Sequence, residues 1–406
     1  MLRPAKGGIA GAALAAGLEH IDVVFAGLRA FMPMARFGSA TLVTRYDDVR
    51  EAFLSDDAFA VPYKAKLDVI MGGEPFFLGM RDGAAYRLGT SSMRKAMRRE
   101  DVRPRLTAAF LAGAEAALAQ GGGRIEVVDA LARQVTFDVL SDYFGVGDPP
   151  GQDLRVITTR LFEFQFADPA GDKALRQEVD VMAPLLRAHV DAVLAQRQLS
   201  GEIRDDVLGR CLGLAAQGEP GFSDVEIRSA LIGFLVGGVP QLPMVIPQAL
   251  EQLLRRPEAL AGAQAAARAG DDALLAGYIF EALRFDPLAP ALSREVVKAC
   301  ALARGTARET ALAEGSQLLV SFRSAMMDRR RVAAPRQFDP GRGANTYMHF
   351  GLGLHQCFGM QINLAVIPMV LKPLLKARVL RRAKGPEGRL RKRGAFAERL
   401  WVAYEE

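Results

Sequence analysis

The chain has 406 residues, half of them hydrophobic, and a formal net charge of +6 at neutral pH. That length holds one large domain or two average ones, and the apolar fraction is ample for a core. The basic residues read as scattered, which excludes a nucleic-acid binder, and no stretch reaches the roughly 20 strongly apolar residues that span a bilayer.

Residues 1–39 read as an N-terminal segment, partly ordered. Arg3 and Lys6 precede a short Ala/Gly-rich run that is too weakly apolar for a secretory signal. Residues 40–44 read as a strand. Residues 46–54 read as a helix whose first turn carries Asp47 and Asp48, the acids suited to a helix N-terminus. Long Ala/Leu/Arg/Glu-rich stretches of helical period follow at 105–119, 151–166, 173–197, 224–255 and 270–285. Strand patterns return at 317–321 and 400–404. The pattern is mainly α with small β-sheets (α+β), and residues 40–406 read as one domain.

Cys211, Cys300 and Cys357 make no disulfide framework and suit a reducing, cytoplasmic setting. The four histidines show no zinc-ligand spacing. Cys211 and Cys300 lie in apolar contexts and read as small buried hydrophobes. Cys357 differs. It sits in Phe350-Gly351-Leu352-Gly353-Leu354-His355-Gln356-Cys357-Phe358-Gly359, a glycine-rich loop ahead of an apolar helical pattern. A thiolate there has backbone N–H groups aimed at it and presents its sulfur to a ligand, which suits iron.

This loop resembles the haem-binding loop of the cytochrome P450 family, Phe-Gly-x-Gly-x-His-x-Cys-x-Gly, with all six fixed positions present. The resemblance runs from about residue 40 to the C-terminus and implies that family's single haem domain. It implies haem b as cofactor and Cys357 as the axial iron ligand, a thiolate that favours O–O cleavage. It implies that Phe350 shields the sulfur, that Gly351, Gly353 and Gly359 let the loop and following helix approach the macrocycle, and that His355 meets a haem propionate. Arg294, with its planar fork of donors, is implied as a second propionate partner. Tyr86 stands where the family often has histidine, with Arg87 as a weaker alternative, and Thr90 stands where it often has arginine.

Glu281 and Arg284 resemble the family's structural Glu-x-x-Arg motif. The third arginine of that cluster is open between Arg336 and Arg342, because Gln337 stands where it is expected. Arg94, Lys95, Arg98 and Arg99 form a basic cluster that would face a ferredoxin-type electron donor. Phe76, Phe77, Phe234, Leu288 and Leu292 would line a pocket for an apolar small molecule, although for each one core packing is the plainer reading.

The oxygen-side helix departs from the family. Gly237 and Gly238 match its small residues, but Pro240 replaces the acid and Gln241 the alcohol that deliver protons. Proline relays nothing and interrupts a helix, and glutamine donates hydrogen bonds but is no acid. The implied activity is a monooxygenase using dioxygen. A peroxygenase or hydroperoxide isomerase is the alternative that Pro240 and Gln241 raise, and a haem-based sensor without turnover is a second.

Overall fold

The structure, a computed structural model, describes residues 21–405. Its contacts divide the chain into two compact units, neither of them continuous in sequence. The first comprises the chain up to Ala60 with Ala289–Gln337 and Ala344–Gly353; the second comprises Val61–Leu288, Phe338–Gly343 and Leu354–Glu406.

The first unit is built on a five-stranded sheet in the order Met34–Phe37, Ala40–Val43, Gln317–Val320, Leu292–Val296, Phe59–Ala60. Ala40–Val43 and Gln317–Val320, both expected as strands, pair in parallel, and the other neighbours are antiparallel. Met34–Phe37, inside the stretch read as an N-terminal segment, is one of its two edge strands. Helix Tyr46–Leu54 buries Val49, Ala52 and Phe53, one face at helical spacing. That face joins Val43, Phe59, Val296, Leu318, Val320 and Phe322 in the core of this unit.

The second unit is mainly helical. Its longest helix, Lys173–Ser200, starts at Asp172, whose carboxylate accepts from the Ala174 and Leu175 amides, and stops at Gly201 with φ +63°. The stretch 224–255, expected as helical and interrupted by proline, forms two helices, Asp224–Gly238 and Leu242–Leu254. Ser223 and Glu226 make a reciprocal capping box at the start of the first. The interruption falls on Val239-Pro240-Gln241, where proline supplies no amide hydrogen. Contrary to the hydropathy expectation, the run Asp224–Leu254 is long and apolar enough to cross a membrane by length and composition, but 78% of its most apolar window is buried inside the protein. A three-stranded sheet in the order Arg124–Glu126, Trp401–Glu405, Val379–Arg382 and the hairpin Arg391–Arg393/Phe396–Arg399 complete the unit.

Candidate active site

The cysteine loop is shaped by its glycines. Gly351 and Gly353, in the first unit, take φ of +65° and +74°, a conformation open mainly to glycine. A Cβ at residue 353 would lie 2.5 Å from the Phe53 carbonyl oxygen, so no side chain fits there. The chain enters the second unit at Leu354, and Gly359 precedes helix Met360–Lys376. The first turn is knitted back onto the loop: Met360 N–H donates to the Cys357 carbonyl and Asn363 N–H to that of Gly359.

Cys357 is half-buried, like every residue from Leu354 to Met360. Burial pushes its thiol up to about 11, opposed by a hydrogen bond from the Gly359 N–H. The Asn363 amide nitrogen lies 4.0 Å from the sulfur. Without a cation the group is a thiol at neutral pH, and a bound metal would displace the proton. A half-buried cysteine with a backbone donor on its sulfur, on a loop turned by glycines, fits an iron-ligating thiolate.

Aromatic packing ties this loop to its neighbours in the second unit. The Phe358 ring stacks on Phe234 of helix Asp224–Gly238, with centroids 5.5 Å apart and planes at 17°, and lies 5.3 Å from Phe77. Phe234 stacks in turn on Phe144 at 5.9 Å. The Arg94 guanidinium sits 5.8 Å from the Phe358 ring centre, which brings the basic helix Ala84–Ala96 next to the cysteine loop. The Tyr86 hydroxyl donates to the Leu354 carbonyl at 2.5 Å, and its ring meets His355 edge-on. That bond braces the loop from helix Ala84–Ala96. Arg87 turns outward to Asp82, and the Thr90 hydroxyl bonds back to the Tyr86 carbonyl.

On the oxygen-side helix the two glycines part. A Cβ at Gly237 would meet nothing within 4 Å, whereas one at Gly238 would contact Leu140 at 3.4 Å. Gly237 therefore faces open space and Gly238 faces the core. Gln241 is half-buried in the interruption, and its carbonyl accepts from both Met244 and Val245. Sequence reasoning missed Gly233. A Cβ there would sit 2.1 Å from the Phe76 ring, so this glycine lets Phe76 lie across the helix. The available signal was a glycine inside a helical pattern.

Glu281 and Arg284 are fully buried and joined by two hydrogen bonds of 2.7 and 2.8 Å. The open third arginine is Arg342, whose Nε donates to Glu281 at 3.1 Å, while Arg336 is exposed. The Asp339 N–H also donates to Glu281. Arg294, in the first unit, is 5% exposed, and its guanidinium lies 5.4 Å from the centre of the Phe53 ring. It is no solvated strand arginine.

Phe76, Phe77 and Phe234 are buried in the aromatic cluster, Leu288 is half-buried in the second unit, and Leu292 packs on the core of the first. Lys66 was not foreseen. From helix Lys64–Met71 its Nζ donates to the carbonyls of Phe164 and Asp168 at 2.8 and 2.6 Å, and pairs with the Asp168 carboxylate at 3.5 Å. Arg187 binds the Val69 and Ile70 carbonyls at the other end of that helix. Tyr63 meets Phe166 edge-on at 5.0 Å. The segment 63–71 is thus held to 164–168 and to helix Lys173–Ser200 at several points.

A largely helical fold and a glycine-turned cysteine loop ahead of a helix define a haem-thiolate protein. The cytochrome P450 family model matches residues 172–377, just over half of the chain. The chain is 26% identical over 337 residues to cytochrome P450 107B1 of Saccharopolyspora erythraea, covering 79% of this chain and 77% of that protein. It is 33% identical over 125 residues to a bifunctional dioxygenase–epoxy alcohol synthase of Pyricularia oryzae, a match that spans 30% of this chain and 10% of that much longer protein. The solved structure of P450BioI in complex with an acyl carrier protein superimposes with a TM-score of 0.80 at 18% identity, covering 97% of this chain and all of that one. The chain belongs to the cytochrome P450 family, whose cofactor is a haem iron.

Proposed function

We propose that this protein is a haem-thiolate monooxygenase that inserts an oxygen atom into an apolar small molecule. Cys357, half-buried in its glycine-turned loop with the Gly359 N–H on its sulfur, is the observation that carries the reading. Bound haem b would supply the oxygen-activating iron, and the Cys357 thiolate the push that favours O–O cleavage. Cys357 holds the metal, Gly359 and Asn363 moderate the charge on sulfur, and Phe350 shields it. Gly351 and Gly353 give the loop its turn, and Tyr86 fixes the loop through Leu354. His355 and Arg294 serve the haem propionates. Gly237 leaves room beside the reacting centre, and Gln241 offers a hydrogen bond to substrate or water there. Phe76, Phe77, Phe234, Leu288 and Leu292 supply apolar surface for the substrate.

Electrons come from a separate acidic protein of ferredoxin type. Among the described residues Lys95 pairs with Glu219 and Arg98 with Asp205, while Arg94 and Arg99 make no ion pair and stay available to such a partner. The three free cysteines support a cytoplasmic setting.

A second reading is favoured by Pro240 and Gln241, which stand where an acid and an alcohol would deliver protons. A hydroperoxide substrate brings its own O–O bond and isomerises with both oxygens retained, needing neither that proton route nor outside electrons. The relative named for epoxy alcohol synthesis supports this reading. One comparison separates the two: turnover of a fatty-acid hydroperoxide without reductant, set against turnover of apolar substrates with dioxygen and a ferredoxin system. Activity in the second alone sustains the monooxygenase, and activity in the first alone replaces it. A Cys357→Ala variant that kept the thiolate signature in the reduced, carbon-monoxide-bound spectrum would overturn both.

A further inference from the structure

The positive charge of this chain is not evenly spread, a correction to the reading of scattered basic residues. Residues 376–399 hold ten lysines and arginines against two glutamates, a local net of +8, so the remainder of the chain carries a net −2. In the second unit this segment forms the edge strand Val379–Arg382, the turn after it and the hairpin Arg391–Arg393/Phe396–Arg399. Half of its cations meet carboxylates: Arg378 meets Glu405, Arg382 meets Glu251, Arg391 and Arg393 meet Glu398, and Lys392 meets Asp286. Among the described residues Arg381, Lys384 and Arg389 make no ion pair.

These unpaired cations border concave surface. A hollow of about 270 Å³ is lined by Arg124, Arg381, Arg382 and Lys384, with Glu387 as its one acid. A second hollow on the same turn is lined by Gly385, Pro386 and Arg389. Arg124 is fixed in the wall, because its guanidinium lies 4.5 Å over the Trp401 ring and pairs with Glu387. Glu387 compensates Arg124, and Glu251 compensates Arg382. Arg381 and Lys384 then leave two positive charges unmatched, the charge of a phosphate monoester dianion. Arginine forks and lysine ammonium groups suit phosphate oxygens.

We propose that this hollow binds the phosphate group of a small anionic ligand, with Arg381 and Lys384 as its principal donors and Arg124 as a fixed third. A concave site with a rigid arginine favours a small anion over the broad face of an acidic protein. The site is distinct from the cysteine loop, and its occupancy does not depend on the reaction proposed above.

The test is calorimetric titration of the haem-loaded protein with pyrophosphate at constant ionic strength. Saturable binding of one equivalent is expected, with the haem spectrum unchanged. Arg381→Glu with Lys384→Glu weakens it by about tenfold or more, the scale of lost charge-assisted hydrogen bonds. Both side chains are exposed, and an unchanged haem spectrum and circular dichroism show that the variant folds. Arg378→Glu, in the same basic segment but outside the hollow, leaves binding intact. The proposal falls if no saturable binding occurs at millimolar pyrophosphate, or if the double variant binds as well as the parent. It also falls if Arg378→Glu weakens binding equally, which is diffuse attraction, or if poly-glutamate binds where pyrophosphate does not, which marks a protein-docking face.

Discussion

The ring of Phe76 occupies the space that a side chain at residue 233 would need: a Cβ there would lie 2.1 Å from ring carbon Cζ. Gly233→Ala must therefore displace Phe76 or bend helix Asp224–Gly238. Overpacking of this kind costs about 1–3 kcal/mol. Chemical denaturation should show that loss, and most of it should vanish when Gly233→Ala is combined with Phe76→Ala. Equal losses in both backgrounds would mean that the two residues do not press on one another.

Glu281 accepts from Arg284 and Arg342 in a fully buried setting. Glu281→Ala strands the Arg284 charge, and breaking a buried pair in this way costs about 3–5 kcal/mol. Arg342→Ala should destabilise less, because Arg284 keeps Glu281 paired, and Arg336→Ala should be near neutral. Thermal melts of the three variants, ranked in that order, check the assignment of the third arginine.

Asp328 gives the first unit an acid-sensitive joint. Burial pushes its carboxyl up, but hydrogen bonds from the Tyr46 and Arg330 amides and the Arg330 side chain outweigh burial and hold it below the ordinary value of 3.8. A depressed carboxyl contributes stability that is present above its unfolded pKa and lost as pH falls through its folded pKa. Stability should therefore fall as the pH drops below about 4, and Asp328→Asn should flatten that part of the profile. An Asn variant with the parental acid slope would remove Asp328 as its source.

Lys66 closes three contacts onto residues 164–168. Lys66→Met keeps the aliphatic stem and drops the donors. Amide exchange in 164–168 should quicken about tenfold, which is about 1.4 kcal/mol of local opening, with little change in the global melting temperature. Unchanged exchange would show that Arg187 and the Tyr63–Phe166 contact hold the segment without it.

Local signals made much of this protein legible. Helix Tyr46–Leu54 followed from two acids ahead of an apolar period, the cysteine loop from fixed spacing, and the break at 239–241 from the chemistry of proline. What stayed hidden depends on partners distant in sequence. Gly233 looks like any helical glycine until Phe76 is placed on it, and Lys66 like a solvated lysine until Asp168 arrives. Arg336 and Arg342 could not be ranked by spacing, because only the path of residues 338–343 brings one of them to Glu281. The expected pocket phenylalanines have the same composition as a core, and the burial of Phe76, Phe77 and Phe234 fits a pocket wall and a core alike.

The chain passes between its two units five times, at 60/61, 288/289, 337/338, 343/344 and 353/354. Strand Ala40–Val43 pairs with Gln317–Val320, so residues 40–43 wait for residues 317–320 to be synthesised before their sheet can close. Such long-range pairing slows folding. It also rules out dissection: neither unit is one piece of polypeptide, so no single cut releases either as an expressible fragment. Split-protein designs and domain swaps with relatives would have to exchange several segments at once.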